Sequence, residues 1–377
     1  MSIFNKYTSL FIIVIGIAAI SIYILLPNFE TEEFDLDVID NIIDGVTTTS
    51  LPVETLTVQD GDSDQKDIQE TPLVITQQEV GRIEKILENN KFESEITNFE
   101  AYLLIGSDER SDKTAQTRGF VSGKRADVII LGLVNKENGK ITLLSFPRDL
   151  LIKNSCTGEI ERINASYIKN DCGGRAENLA AAIYSISGIK VGHFASFDFE
   201  GFENIIDSVD GVEICVDKTQ REGFSFELQK GCQTVSGLTT LNWIVSRSTE
   251  VLVGEKIIDD EGNDISEWEP MKGVSDLTRI DRQQYVVIQL IENLKNFNSV
   301  NELYKFINAL ETSFTIDENI TINKAVDILW DFRGADLNKV SKLTTPVDFL
   351  TLDDGRQVLI LNKKISDLLI ENSIIDS

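Results

Sequence analysis

Hydrophobic and polar positions divide this chain into segments of distinct period. Leu10 to Leu26 carries no charge, and with Tyr7 to Ser9 it reaches the roughly 20 residues that a helix needs to cross a bilayer. Lys6 precedes this run, and Glu30, Glu32 and Glu33 follow it. The positive-inside rule then leaves residues 1–9 in the cytoplasm, a transmembrane helix over 10–26, and the rest outside. A cleaved signal peptide is the rival, but the run is long for one and no small-x-small site follows it. The expectation is therefore a single-pass type II protein of the cell membrane. Residues 27–78 lack a sustained apolar period. Thr47-Thr48-Thr49-Ser50 and Asp60-Gly61-Asp62-Ser63-Asp64 are polar or acidic, and the latter lacks the Gly and distal Glu of a calcium loop, so an acidic disordered stalk is expected.

Val80 to Leu87 has helical spacing, which predicts a lead-in helix within 79–97. From Ala101 onward β-rich runs alternate with helical periods. Strands are predicted at Ala101–Gly106, Ala126–Val134, Lys140–Phe146 and Gly211–Val216, with a hairpin turn over Asn135–Gly139. Helices are predicted at Ala176–Ser187, Phe199–Val209 and Gly237–Arg247. A longer one runs from a Ser275 cap to Leu294, with Ile280, Val287 and Ile291 on its apolar face. This pattern predicts an α/β fold, a mixed sheet covered by helices on both faces, over 98–300, completed by an α/β extension over 301–377.

Composition narrows the function. The formal net charge is −27, which excludes a generic nucleic-acid binder. Between Glu30 and Glu70 Lys66 is the only base, whereas arginines concentrate after Arg110. His193 is the only histidine, and with no nucleophile elbow or paired-histidine motif it is expected to be structural. Cys156 and Cys172 bracket one short loop and Cys215 and Cys232 another. In an oxidising compartment two local disulfides are expected, with free buried thiols as the alternative.

Charge collects where the apolar runs end. Leu103-Leu104-Ile105-Gly106-Ser107-Asp108-Glu109-Arg110, Arg125-Ala126-Asp127 and Phe146-Pro147-Arg148-Asp149 each set carboxylates and arginines at a strand end. Carboxylates suit a hard cation and guanidinium forks suit phosphate oxygens. Arg110, Arg125 and Arg148 are thus candidates for an anionic ligand. Asp276, Arg279, Arg282 and Gln283 share one side of the long helix near its N-terminus, an end that favours anions.

These segments, with Ile163-Asn164-Ala165-Ser166-Tyr167, Asp198-Phe199-Glu200-Gly201-Phe202, Asp207 to Val212, Ser246-Arg247 and Asp276 to Gln284, occur in an order that resembles the LytR-CpsA-Psr family. The resemblance covers about residues 100 to 295. It implies a membrane-anchored α/β/α sandwich with an apolar lipid tunnel. It also implies a phosphotransferase that moves a glycopolymer from a polyprenyl-pyrophosphate carrier to peptidoglycan, forming a phosphodiester. Carried over by motif, Asp108 and Asp127 would bind Mg²⁺ or Mn²⁺, with one of them as base. Arg125, Arg148, Arg247 and Arg279 or Arg282, with Gln283 and Arg110, would bind the pyrophosphate.

Departures from the pattern are visible. Val245 stands where the family often has arginine, Asp112 to Lys124 lengthens the first loop, and Thr249 to Gly273 is an acidic insertion expected as a lid or a surface loop. Two other functions share the same residues: a polyprenyl-pyrophosphate phosphatase, and a non-enzymatic binder of lipid-linked glycopolymer.

Overall fold

The computed structural model describes residues 30–32, 34, 75, 77–107, 125–168, 173–273, 276–294, 296–297, 299, 302, 314–317 and 340–376. In chain order the strands are β1 (Glu30–Glu32), β2 (Phe99–Ser107), β3 (Ala126–Asn135), β4 (Ile141–Ser145), β5 (Leu151–Lys153), β6 (Ile160–Arg162), β7 (His193–Phe197), β8 (Val212–Val216), β9 (Gln220–Glu222), β10 (Phe226–Leu228), β11 (Gly231–Val235), β12 (Glu250–Val253), β13 (Glu267–Pro270), β14 (Phe314–Asp317), β15 (Ser341–Thr344), β16 (Val347–Thr351) and β17 (Gln357–Leu361). The helices are α1 (Gln77–Asn89), α2 (Arg175–Ser187), α3 (Phe199–Ser208), α4 (Gly237–Val245), α5 (Asp276–Leu294) and α6 (Ile365–Glu371).

Seven strands form the central sheet in the order β1-β14-β7-β2-β3-β4-β15. The sheet is mixed. β7 and β2 run parallel, as do β4 and β15, whereas β2, β3 and β4 form an antiparallel meander. β2 and β3 are buried on both faces, which is why they read as nearly continuous apolar runs. Leu103, Ile105, Ile129 and Leu131 pack with Leu179 and Ile183 of α2 and Leu369 of α6. Tyr102, Leu104, Ile130 and Leu143 face the other way, onto Phe202 of α3, Leu241 of α4 and Val287 of α5. The result is the expected α/β/α sandwich. The β3–β4 turn closes as its sequence predicts: the Asn135 side chain accepts from the Glu137 and Asn138 amides, and Gly139 takes φ 68°.

His193 is structural, as expected. Its Nδ1 meets the wholly buried Asp317 carboxylate at 2.5 Å, and its ring stacks on Tyr102. Cys215 and Cys232, opposite each other on β8 and β11, form a disulfide. Cys156 is also disulfide-bonded; Cys172 lies outside the described residues.

Two features depart from expectation. The stretch read as stalk begins inside the fold, because β1 pairs with β14 and Phe34 is buried against the Phe194 ring. The charged flank hid a pairing supplied by a strand almost three hundred positions away. The 249–273 insertion is a β12–β13 hairpin that extends a separate sheet, β10-β9-β12-β13, rather than a bare loop. Arg221 of β9 lies 3.8 Å over the Trp268 ring and bonds Glu250 and Asp264, which fixes the hairpin. Between the sheet and the helices lies an apolar cleft of about 40 Å³. Among the described residues no helix is long and apolar enough to cross a membrane; Leu10 to Leu26 lies outside them.

Candidate active site

The site forms where β2 ends and β3 begins. Gly106 pairs with Val128 and Ser107 with Ala126, so Asp127 is left in a bulge between them. A bulge re-aims the extra residue out of the ladder. Only glycine fits beneath it, since a Cβ on Gly106 would lie 2.8 Å from both Val128 Cβ and Cγ2.

Arg148 arrives from the end of β4, behind Pro147. Its Nη1 donates to Asp127 Oδ1 at 2.7 Å, and its Nε lies 3.6 Å from Asp149 Oδ2. On the other side of Asp149, Arg162 Nε approaches Oδ1 at 3.1 Å. Arg148 is therefore paired with Asp127 more tightly than with its neighbour Asp149. Arg162 was not singled out from sequence, although its partner Asp149 stands in the Phe146 to Asp149 segment. The only available signal was position, since Arg162 directly precedes Ile163-Asn164 and Asp149 follows Arg148.

Arg279, in the first turns of α5, closes the constellation. Burial, then the nearby Arg148 charge, hold its pKa down to about 10, while Asp127 and Asp149 act in the opposite sense. It remains charged at neutral pH. With Ser107, Asp127 and Gln283 it forms the polar lip of a cleft whose wall is Leu104, Phe197, Phe202, Leu241, Ile244 and Val287. An apolar slot with a cationic lip suits an amphiphile with an anionic head. The cleft holds about 40 Å³ between the sheet and α3, α4 and α5.

Other expected residues fall elsewhere. Arg282 is turned away from Asp127: Nη1 donates to the Trp243 carbonyl at 2.7 Å and Nη2 to Thr249 Oγ1 at 3.1 Å, with Met271 Sδ at 3.7 Å. It also lies 5.0 Å over the Trp243 ring. Arg282, a candidate phosphate ligand by sequence, here has its donors engaged between the C-terminal end of α4 and the two roots of the insertion. Arg247 is exposed just past α4, and Arg125 is half-buried at the head of β3. Asp108 and Arg110 lie outside the described residues. Gln284, unremarked beside Gln283, donates to Ser145 Oγ and the Leu343 carbonyl and so locks α5 onto the sheet.

The family model described as the LytR_cpsA_psr family matches residues 70–254 and 269–372. This chain belongs to the LytR-CpsA-Psr family. It is 30% identical over 155 residues to the probable cell wall biosynthesis protein LcpB of Corynebacterium glutamicum, covering 39% of this chain and 36% of that one. It is 25% identical over 236 residues to the polyisoprenyl-teichoic acid–peptidoglycan teichoic acid transferase TagU of Bacillus subtilis, covering 62% of this chain and 64% of that one. The chain thus matches less than two thirds of the length of these curated relatives. A LytR-Csp2A-Psr enzyme from Actinomyces oris has the same fold, with a TM-score of 0.54 at 22% identity over 74% of this chain and 92% of that one. The LytR-CpsA-Psr match omits residues 255–268, which hold the tip of the β12–β13 hairpin.

Proposed function

We propose that this protein transfers a phospho-glycopolymer from a polyprenyl-pyrophosphate carrier to peptidoglycan. The observation that carries this reading is the Asp127–Arg148–Arg279 cluster set on the lip of an apolar cleft. The lipid tail would enter the cleft between the sheet and α3, α4 and α5. Arg279 and Arg148 would take the pyrophosphate oxygens, with Gln283 beside them and Arg125 and Arg247 reaching from the rim. The names of relatives such as TagU, a teichoic acid transferase acting between a polyisoprenyl carrier and peptidoglycan, point to the same class of donor and acceptor.

The donor set fits a hard divalent cation: Asp127 and Ser107 supply oxygen at the lip, and Mg²⁺ commonly uses one or two carboxylates together with substrate phosphates. Asp127 and Asp108 would hold such an ion, which would supply charge neutralisation at the phosphates. The chain's own residues do the rest. The acceptor sugar hydroxyl attacks the glycopolymer-side phosphorus, and its proton goes to a carboxylate at the lip, Asp127 or Asp108. The bond from that phosphorus to the bridging oxygen breaks, and the lipid leaves as a monophosphate. Arg279, which is buried, and Arg148, which is half-buried and held by Asp127, stabilise the charge that gathers on that leaving group. We further propose that Leu10 to Leu26 anchors the protein and that the folded part lies outside the cell; protease added to spheroplasts should then degrade it, and full protection would defeat this topology.

The test is product analysis. Detergent-purified full-length protein, lipid-linked glycopolymer and peptidoglycan fragments should yield a phosphodiester-linked conjugate that requires divalent cation. Equal consumption of lipid with no acceptor present, giving free phosphorylated polymer, would assign a hydrolase instead. Retention of intact lipid without turnover would assign a binding protein.

A further inference from the structure

The segment that follows the apolar run enters the sheet at a defined height. Glu30 pairs with Thr315, Thr315 with Ser196, and Ser196 with Ile105. Glu30 therefore stands level with Ile105, one residue short of the Gly106–Val128 pair beside which Asp127 bulges. β1 then runs away from the site, since Thr31 and Glu32 pair with Ile316 and Asp317. The chain thus comes into β1 from the catalytic end of the sheet. Two contacts fix the strand there. Phe34 is buried against Phe194, and Asp317, at the end of β14, is held by His193.

From this register we infer that the fold is docked on the outer leaflet of the bilayer with the catalytic end of its central sheet facing the lipid. The inference rests on the proposed anchor at Leu10 to Leu26. Only four residue steps separate Leu26 from Glu30, a span of at most ~14 Å even fully extended. The opposite end of the sheet, where Phe99 pairs with Asn135, lies six residues below Ile105, or ~20 Å along the strand. A connection of ~14 Å cannot place that far end on the bilayer while Glu30 stays in its register. The near end is reached without strain. Asp127 lies on β3, four strands from β1 and so ~19 Å sideways along the same edge of the sheet. The lip of the cleft is then presented to the plane in which a lipid-borne pyrophosphate lies, and the substrate's tail need not leave the membrane to reach it.

The test uses the full chain in vesicles that contain a lipid with a nitroxide on its headgroup. Cys156, Cys215 and Cys232 are disulfide-bonded, so an introduced thiol can be labelled selectively. A fluorophore is placed on Glu200→Cys, exposed three residues past the catalytic end of β7, or on Glu137→Cys, exposed in the β3–β4 turn at the far end. Quenching at position 200 should exceed that at position 137 severalfold. A third protein carries about 16 Gly/Ser residues inserted between Asn28 and Phe29, a spacer with a mean span of ~22 Å, and should lose most of the difference between the two labels. Equal quenching at both positions in the unmodified spacing, or stronger quenching at 137, would overturn the orientation while leaving the anchor in place, provided the protein stays with the vesicles after an alkaline carbonate wash. Release by that wash would overturn the anchor and the orientation together.

Discussion

Replacing Arg282 with alanine should destabilise the fold and leave pyrophosphate binding nearly intact. Its side chain donates to the Trp243 carbonyl and to Thr249 Oγ1, and stacks over the Trp243 ring. Hydrogen bonds from a charged donor contribute about 1.5–3 kcal/mol each, and a desolvated cation–π contact up to about 2 kcal/mol. Desolvation offsets part of this, since burial holds the Arg282 pKa down to about 10. Truncation also leaves the Trp243 carbonyl without this donor in a buried setting. A net loss of about 2–3 kcal/mol follows, which for a domain of this size is a fall of roughly 5–10 °C in Tm. The assay is paired: a thermal melt, and binding of a polyprenyl pyrophosphate to the folded protein. Arg282→Met, which fills the space beside Met271 without a charge, should recover part of the lost stability. An unchanged Tm for Arg282→Ala with at least a tenfold loss of lipid binding would refute the structural assignment and restore the residue to the phosphate site.

Four further outcomes follow from the same geometry. Arg148→Lys keeps the charge but loses the planar fork, so turnover should fall by on the order of ten- to a hundredfold with the melt little changed; a large fall in Tm with binding intact would make Arg148 a structural ion pair. Gly106→Ala should cost about 1–3 kcal/mol and disturb the Asp127 bulge, because its Cβ has no room beside Val128; an unaltered melt and unaltered turnover would show that β3 yields freely. Among the described residues neither the amide nitrogen nor the oxygen of the buried Asn178 side chain has a hydrogen-bond partner, so Asn178→Leu should raise Tm, and a lower Tm would show the amide to be satisfied. Arg279 loses its proton as pH rises toward about 10, so pyrophosphate affinity should fall on that alkaline limb, and Arg279→Gln should bind weakly without it; a wild-type affinity flat through that range would remove Arg279 from the binding site.

Much of the fold was legible because it rests on local pattern. β2 and β3 are buried on both faces, and a run such as Ala101 to Gly106 has few other uses. The Asn135–Gly139 turn closes with its own side chain, so its geometry is written in five adjacent residues. Helix starts were legible where a cap is present: Asp198 accepts from the Gly201 amide, and Ser236 from that of Thr239. β1 was not legible. Its three residues have no apolar alternation, and its partner β14 lies far along the chain. The same holds for the bulge at Asp127. The residue was picked out by its charge at a strand end, but the register shift that lifts it from the ladder is set by Gly106 on the neighbouring strand.

Arg279 and Arg282 show the limit most sharply. Three positions apart on one helix, they carry the same group and the same claim on a phosphate, and helical spacing cannot separate them. What separates them is what stands opposite. Arg279 faces Asp127, Asp149 and Arg148 across the cleft, whereas Arg282 meets Thr249 and Met271, the residues flanking the β12–β13 hairpin. The hairpin's tip is the part that the LytR-CpsA-Psr pattern skips. The hairpin is therefore rooted on Arg282, which its sequence position offers as a candidate phosphate ligand. Among the described residues, the cationic side of the site rests chiefly on Arg148 and Arg279. That concentration makes the carboxylates around them consequential. Asp127 and Asp149 hold Arg148 from two sides, and Arg162 shares Asp149 with it. A site with few arginines gains most from fixing each one before the phosphate arrives, because preorganised charge need not be reoriented as the leaving group departs.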